Sequence, residues 1–241
     1  MPQYKRPPIT EAVVEIRLED QLSQDEVDQL RSRFEADYPF SKPVAELRVE
    51  VKPSEREAKF DERSSGYRLA SGDQADILVV TSGRMACSRL PPYTGWNMFR
   101  GRAEENWRTW KRVVGYRKIQ RVGVRYINRI DIPVAAGEKP RIEDYLRVYP
   151  ETGAMTVLTS YVMQLVGPLG EDDCRLVLNS KSVPSPLVDH VSLVFDIDIV
   201  REGDVPQKDD EVWSLIDRIR THKNRIFEAS VTDKARELFN A

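Results

Sequence analysis

Residues 119–133, IQRVGVRYINRIDIP, constrain the fold of this chain more than any other stretch. Apolar and polar positions alternate over the whole segment, the period of a half-buried strand. Val122, Val124, Tyr126, Asn128, Ile130 and Ile132 share one face, and Arg121, Gly123, Arg125, Ile127, Arg129 and Asp131 share the other. Arginine at every fourth place puts a row of positive charge along one side of a strand. Such a strand needs a sheet that buries one face, and either acidic neighbours or an anionic ligand on the other. Glu11 and Glu15 near the start, Glu50, and Asp196 and Asp198 near the end are the acidic residues that adjoining strands could bring to it. Opposite charges paired across neighbouring strands contribute a few tenths to ~1 kcal/mol each. Two readings follow: a solvated sheet face laced with ion pairs, or an open charged surface or tunnel that receives an anion.

The other elements follow from periodicity. Residues 9–18 alternate, with Ala12, Val14, Ile16 and Leu18 on one side and Glu11, Glu15 and Arg17 on the other. Ser23 with Glu26 is a capping-box signature, Leu22 and Val27 fit a hydrophobic staple, and Val27, Leu30, Phe34 and Tyr38 form a helical stripe before Pro39. Residues 47–51 alternate as a strand, and the polar run 53–66 reads as a mobile loop. Residues 67–70 and 77–90 read as strands with turns at Gly72-Asp73 and Ser82-Gly83. A long helix is predicted from Trp96 to Val114, with Trp96, Phe99, Ala103, Trp107, Trp110 and Val114 inward; a row of large aromatics at this spacing belongs to a core. After 119–133 come a short helix at 142–148, strands near 155–166, 175–183 and 191–201, and a long helix from Asp209 to about Phe227. The latter carries Val212, Leu215, Ile216, Ile219 and Ile226 inward. Thr232 then caps a last short helix with Asp233 in its first turn. The class is α+β, a largely antiparallel sheet with helices on one face. The order strand, helix, strands, long helix occurs in residues 1–118 and again in 119–241, which predicts two similar halves in one compact unit.

With 241 residues the chain can bury a sizeable core. Its net charge of −2 hides an asymmetry: residues 100–129 hold ten basic residues against Glu104 and Glu105, a net of +8 that leaves −10 elsewhere. This window either contacts an anionic partner or faces the acidic remainder of its own chain. Cys87 and Cys174 have neither disulfide-framework nor metal spacing and read as buried small hydrophobes. No signal-like leader and no apolar run near ~18 residues occurs, so a cytoplasmic protein without a membrane partner is expected.

Catalytic signatures are missing. No P-loop, Gly-x-Ser-x-Gly elbow or dinucleotide fingerprint occurs, so no cofactor is expected. His222 falls near the apolar stripe of the last long helix and His190 in a turn, and neither has metal-ligand spacing. Carboxylates are the remaining stock: Glu11, Glu15, Asp196 and Asp198 could hold a hard cation. Arg17, Arg121, Arg125 and Arg129 are the candidate anion ligands.

Four blocks together resemble a sporadically distributed family of uncharacterised bacterial proteins. They are Arg6-Pro7-Pro8-Ile9-Thr10-Glu11-Ala12-Val13-Val14-Glu15-Ile16-Arg17, the Gly95-Trp96 to Trp110 helix, the strand with Arg125-Tyr126-Ile127-Asn128-Arg129, and Phe227-Glu228-Ala229-Ser230-Val231-Thr232-Asp233. Leu18 stands where the resemblance leads one to expect phenylalanine. The resemblance transfers no reaction. Its patchy occurrence implies an accessory gene of the kind found in defence and toxin–antitoxin loci. Two functions are expected in turn. The first is a non-catalytic binding or regulatory protein that engages a protein or nucleic acid, with a homodimer compatible. The second is a metal-dependent phosphoryl hydrolase or triphosphate-binding protein in a charged tunnel. The Glu-x-Glu-x-Lys strand of the latter is absent, since Val13 lies between Glu11 and Glu15 on their face.

Overall fold

A computed structural model describes residues 4–51, 58–134, 140–151, 153, 160–170 and 172–240, with backbone alone at 46–51 and 58–65. The elements are β1 (Ile9–Leu18), α1 (Gln24–Phe34), β2 (Phe40–Val51), β3 (Ala58–Ala70), β4 (Asp76–Thr81), β5 (Arg84–Arg89), α2 (Trp96–Val114) and β6 (Ile119–Pro133). A 3-10 turn (Ile142–Asp144), β7 (Val162–Leu169), β8 (Cys174–Pro184), β9 (His190–Glu202), α3 (Asp209–Ser230) and α4 (Asp233–Asn240) complete the order. The nine strands form one mostly antiparallel sheet in the order β2-β3-β4-β5-β1-β6-β9-β8-β7. This is the expected α+β class. The chain forms two compact units, one of Met1–Ala12, Gly123–Glu202 and Asp210–Ala241, the other of Val13–Val122 and Gly203–Asp209. No described helix is long and apolar enough to cross a membrane.

In the unit built on Val13–Val122, α1 begins as its sequence requires. The Glu26 backbone N–H donates to Ser23 Oγ at 3.3 Å and the Ser23 N–H to Glu26 Oε2 at 2.9 Å, so both orphan donors are satisfied. Its buried Val27, Leu30 and Phe34 face β3, β4 and α2. In α2 the rings of Trp107 and Trp110 stack at 4.9 Å and are fully buried, while Trp96 at its first turn is half-exposed. Asn106, buried among them, donates to Tyr38 Oη at 2.7 Å, which satisfies that buried phenol. Val14, Ile16 and Leu18 of β1 are buried on the strand side, as are Leu69, Leu78 and Met85 of β3, β4 and β5.

In the other unit the alternation of β6 decides burial. Val124, Tyr126, Asn128, Ile130 and Ile132 are buried, and Arg125, Ile127, Arg129 and Asp131 are exposed or half-exposed. Phe195, Ile197 and Ile199 of β9 join them, and Phe227 of α3 meets Phe195 at 6.4 Å between centroids. Asn128 is tolerated in this core because its Nδ2 donates to the Phe195 carbonyl at 3.0 Å. Two of the blocks singled out in the sequence, 6–17 and 125–129, meet here, and Tyr4 just before the first of them reaches Glu228. The Arg129 N–H donates to the Pro8 carbonyl at 2.8 Å, Thr10 Oγ1 to the Ile127 carbonyl at 3.1 Å, and Tyr4 Oη to Glu228 at 2.8 Å. Thr232 caps α4 as expected, accepting from the Ala235 N–H at 3.2 Å.

Four expectations need correction. β2 starts at Phe40 rather than 47, and β3 at Ala58, inside the polar run 53–66 read as a loop. Strand pairing uses backbone groups, so β3 runs antiparallel to β2 whatever its polarity; residues 52–57 lie outside the described residues. The helix predicted at 142–148 is only the 3-10 turn. Instead of continuing a helix, the Arg147 N–H donates to the Ser230 carbonyl at 2.8 Å and the Tyr145 carbonyl accepts from the Thr232 N–H at 3.2 Å. The strand expected at 155–166 lies at Val162–Leu169, and 155–159 fall outside the described residues.

Gly66 of β3 is a close-approach glycine. A Cβ there would sit 2.0 Å from the Val80 carbonyl oxygen and 2.6 Å from Thr81 Cα, both backbone atoms that cannot turn aside. Gly66→Ala is expected to force β3 from β4 and lower stability by about 2 kcal/mol, read as an earlier midpoint in urea unfolding.

Candidate functional site

The arginine row of β6 is distributed over two carboxylate-centred clusters and one same-strand pair. In the Val13–Val122 unit, Arg121 donates to Glu15 of β1. Arg84, at the start of β5, donates from Nη1 to Glu15 Oε2 at 2.8 Å, and Arg17 from Nε to Oε1 at 2.8 Å. Glu15 and Arg121 are nearly buried, with 13% and 14% of their side chains accessible, and Arg17 is 42% accessible. Burial works to raise the Glu15 pKa, but Arg17, Arg121 and Arg84 outweigh it and hold the carboxyl below its ordinary 4.5.

In the other unit, a polar ladder crosses four strands. Arg125 of β6 grips Asp196 of β9 side-on, Nε to Oδ1 at 2.9 Å and Nη2 to Oδ2 at 2.8 Å. Asn179 of β8, opposite Asp196, donates to Oδ2 at 3.0 Å. Gln164 of β7, opposite Asn179, donates to its Oδ1 at 2.8 Å. Each residue satisfies the next, and Asp196, only 6% accessible, is fully served. Hydrogen bonding to Asp196 raises the Arg125 pKa above its ordinary value against the cost of burial, with the charges of Asp196, Asp198 and Glu11 adding to the effect. Arg129 turns back onto its own strand and donates from Nε to Asp131 Oδ1 at 3.0 Å and Oδ2 at 3.2 Å, and Ser192 Oγ also donates to Asp131.

Thus Glu15 meets Arg17 and Arg121, and Asp196, Asp198 and Glu11 surround Arg125. The side chain of Glu50 lies outside the described residues. Arg84, Asn179, Gln164 and Ser192 were not legible as partners, because nothing in the sequence says which strands adjoin. Asp131 was legible, being two residues from Arg129 on the same face.

Of the four carboxylates considered for a cation, Glu15 is engaged with three arginines and Asp196 with Arg125 and Asn179. Among the described residues no group of three or more His, Cys, Asp and Glu is placed to hold a metal ion. His222 Nε2 lies 2.9 Å from Asp172 Oδ2, and Arg218 Nε donates to Asp172 Oδ1 at 2.8 Å, so this buried histidine belongs to a structural cluster around Asp172. His190 is 2.7 Å from the Val188 carbonyl in the turn before β9. Cys87 and Cys174 are free and buried, and burial pushes their thiols up to about 12 and about 11, away from reactivity.

The basic window is largely answered from within its own unit. Arg100 and Arg108 pair with Glu104, Lys111 with Asp209, Arg117 with Glu26 and Lys118 with Glu19. An open groove of about 710 Å³ lies on α1 and α2, lined by Asp25, Asp28, Gln29, Ser32, Arg33 and Val113, and holds none of the expected residues. No family model matches this chain, and no curated protein matches it.

Proposed function

We propose that this chain is a non-catalytic binding or regulatory protein, of the accessory or defence-type kind that the resemblance implies, engaging an anionic partner through the arginine face of β6. One observation carries the reading. Arg125 and Arg129 are anchored by carboxylates through Nε, Arg125 through Nη2 as well. Yet they remain 45% and 36% accessible, with Arg125 Nη1 and both Arg129 Nη groups outside those bonds. Anchoring reduces the conformational freedom each side chain would lose on binding, and a guanidinium edge suits phosphate or carboxylate. Four residues apart on one strand, the two project about 13 Å from each other. The internal duplication belongs to the same reading, supported by a leading strand, further strands and then a long helix in both residues 1–118 and 119–241, with the first half's α1 answered in the second only by the 3-10 turn.

Fluorescence anisotropy with single-stranded and duplex oligonucleotides tests it. Binding should weaken steeply between about 50 and 200 mM salt, each phosphate contact contributing close to one unit of log–log slope. Arg129→Gln leaves Asp131 its Ser192 bond and should weaken binding about tenfold while lowering the slope by about one. Arg125→Lys keeps the charge but loses the fork and should also weaken it. Absence of nucleic-acid binding, or unchanged affinity in a folded double variant, would overturn the nucleic-acid form of the proposal. Capture of an acidic protein that Arg129→Gln releases would move it to a protein partner.

A further inference from the structure

The two end strands of the sheet are built differently. A free strand edge presents a row of unpaired N–H and C=O groups, and proteins guard such edges with charge, proline or cover. β2, at one end, reads FSKPVAELRVEV, with Lys42, Pro43, Glu46, Arg48 and Glu50. β7, at the other, reads VMQLVGPL and is the one strand of the nine without a charged residue or histidine. Among the described residues its only hydrogen-bonded neighbour in the sheet is β8. Val162, Leu165 and Val166 are 82%, 50% and 56% exposed. They lie on both sides of the sheet: Leu165 stands opposite Leu178 of the core face, whereas Val162 and Val166 share the face of Gln164.

We propose that β7 is a dimerisation edge that pairs antiparallel with β7 of a second copy of this chain, about a two-fold axis at Gln164. A strand with no charge selects a partner with none, and in this chain that strand is β7 itself. The register is dictated by self-complementarity. With Gln164 opposite its two-fold mate, Val162 meets Val166 and Met163 meets Leu165, so apolar groups meet apolar groups on both faces. The two Gln164 amides, each carrying donor and acceptor, then exchange hydrogen bonds. This joins the Arg125–Asp196–Asn179–Gln164 ladders of the two copies into one. Pro168, without an N–H, ends the pairing on its side. The inference does not depend on the proposed anionic partner, because the contact needs no arginine.

The test uses the full chain. Sedimentation velocity at about 100 µM should give a dimer, and Leu165→Lys and Val166→Lys should each give a folded monomer at the same concentration, their side chains being exposed in the single copy. Gln164→Cys should form a disulfide-linked dimer on mild oxidation, because directly opposed residues lie ~4.5–5.5 Å apart at Cα, within the range a disulfide spans. Val188→Cys, exposed outside β7, should not. A monomeric parent chain, a dimer that both lysine variants retain, or a dimer in which Gln164→Cys fails to cross-link would each overturn the proposal.

Discussion

Replacing Glu15 with alanine is expected to lower the unfolding free energy by about 3–4 kcal/mol, the largest loss among single substitutions on the charged face. Glu15 is the shared acceptor of Arg17, Arg84 and Arg121, and its removal takes the common carboxylate from three neighbouring guanidiniums, of which Arg121 is nearly buried. Breaking a buried pair from one side costs more than the pair contributes, because the remaining charges lose their shared carboxylate where solvent replaces it poorly. Glu15→Gln keeps an acceptor and should lose about half as much. The pH dependence has the same origin. The folded Glu15 pKa lies below 4.5, so the unfolded chain binds more protons between the two values. The contribution is complete above about pH 4.5 and is lost as pH falls through the folded pKa. Urea titrations at pH 7 and pH 3 should therefore show parent and Glu15→Gln converging in acid; a constant difference would exclude the cluster as its source.

Lys223→Met is expected to stabilise the protein by about 2–3 kcal/mol near neutral pH. Lys223 of α3 is 5% exposed, and burial, with Arg220 adding and Glu228 opposing, pulls its ammonium from 10.5 to about 7. Keeping that amine folded and charged rather than solvated costs at most ~4–5 kcal/mol. The Tyr126 ring, 3.8 Å from Nζ, returns about 2 kcal/mol of it. Methionine fills the same volume against Tyr126 and Phe227 without the charge. Here the unfolded chain binds more protons between pH 7 and 10.5, so the penalty is complete below pH 7 and is relieved as pH rises toward 10.5. The parent protein should gain stability from pH 7 to 9 relative to Lys223→Met. A parallel pair of curves, or a destabilised variant, would mean that the ammonium is stabilised by more than the ring.

The legible parts of this chain are those set by local periodicity. The β6 alternation sorted twelve residues onto two faces correctly, because a strand's side chains alternate whatever surrounds it. The Trp96–Val114 helix and the Ser23–Glu26 capping box were readable for the same reason: a helix and its cap are satisfied within a few residues. Where backbone partners come from afar, reading failed. Residues 142–148 carry a helix-like pattern, yet their backbone groups bond to Ser230 and Thr232, more than eighty positions away. Residues 58–65 look like a loop by composition, yet form a strand because a neighbour offers hydrogen bonds.

The charged face divides in the same way. By itself the sequence determined that Arg121, Arg125 and Arg129 share a face of one strand, and that Glu11 and Glu15, like Asp196 and Asp198, stand on matching faces of others. Alternation along a single chain is enough for that. Only the tertiary structure decided that Glu15 collects Arg17, Arg84 and Arg121 while Asp196 takes Arg125, Asn179 and, through it, Gln164. Strand order and register bring together Glu15 and Arg121, 106 positions apart. They are set by how all nine strands bury their apolar faces at once, a collective balance that no local pattern encodes.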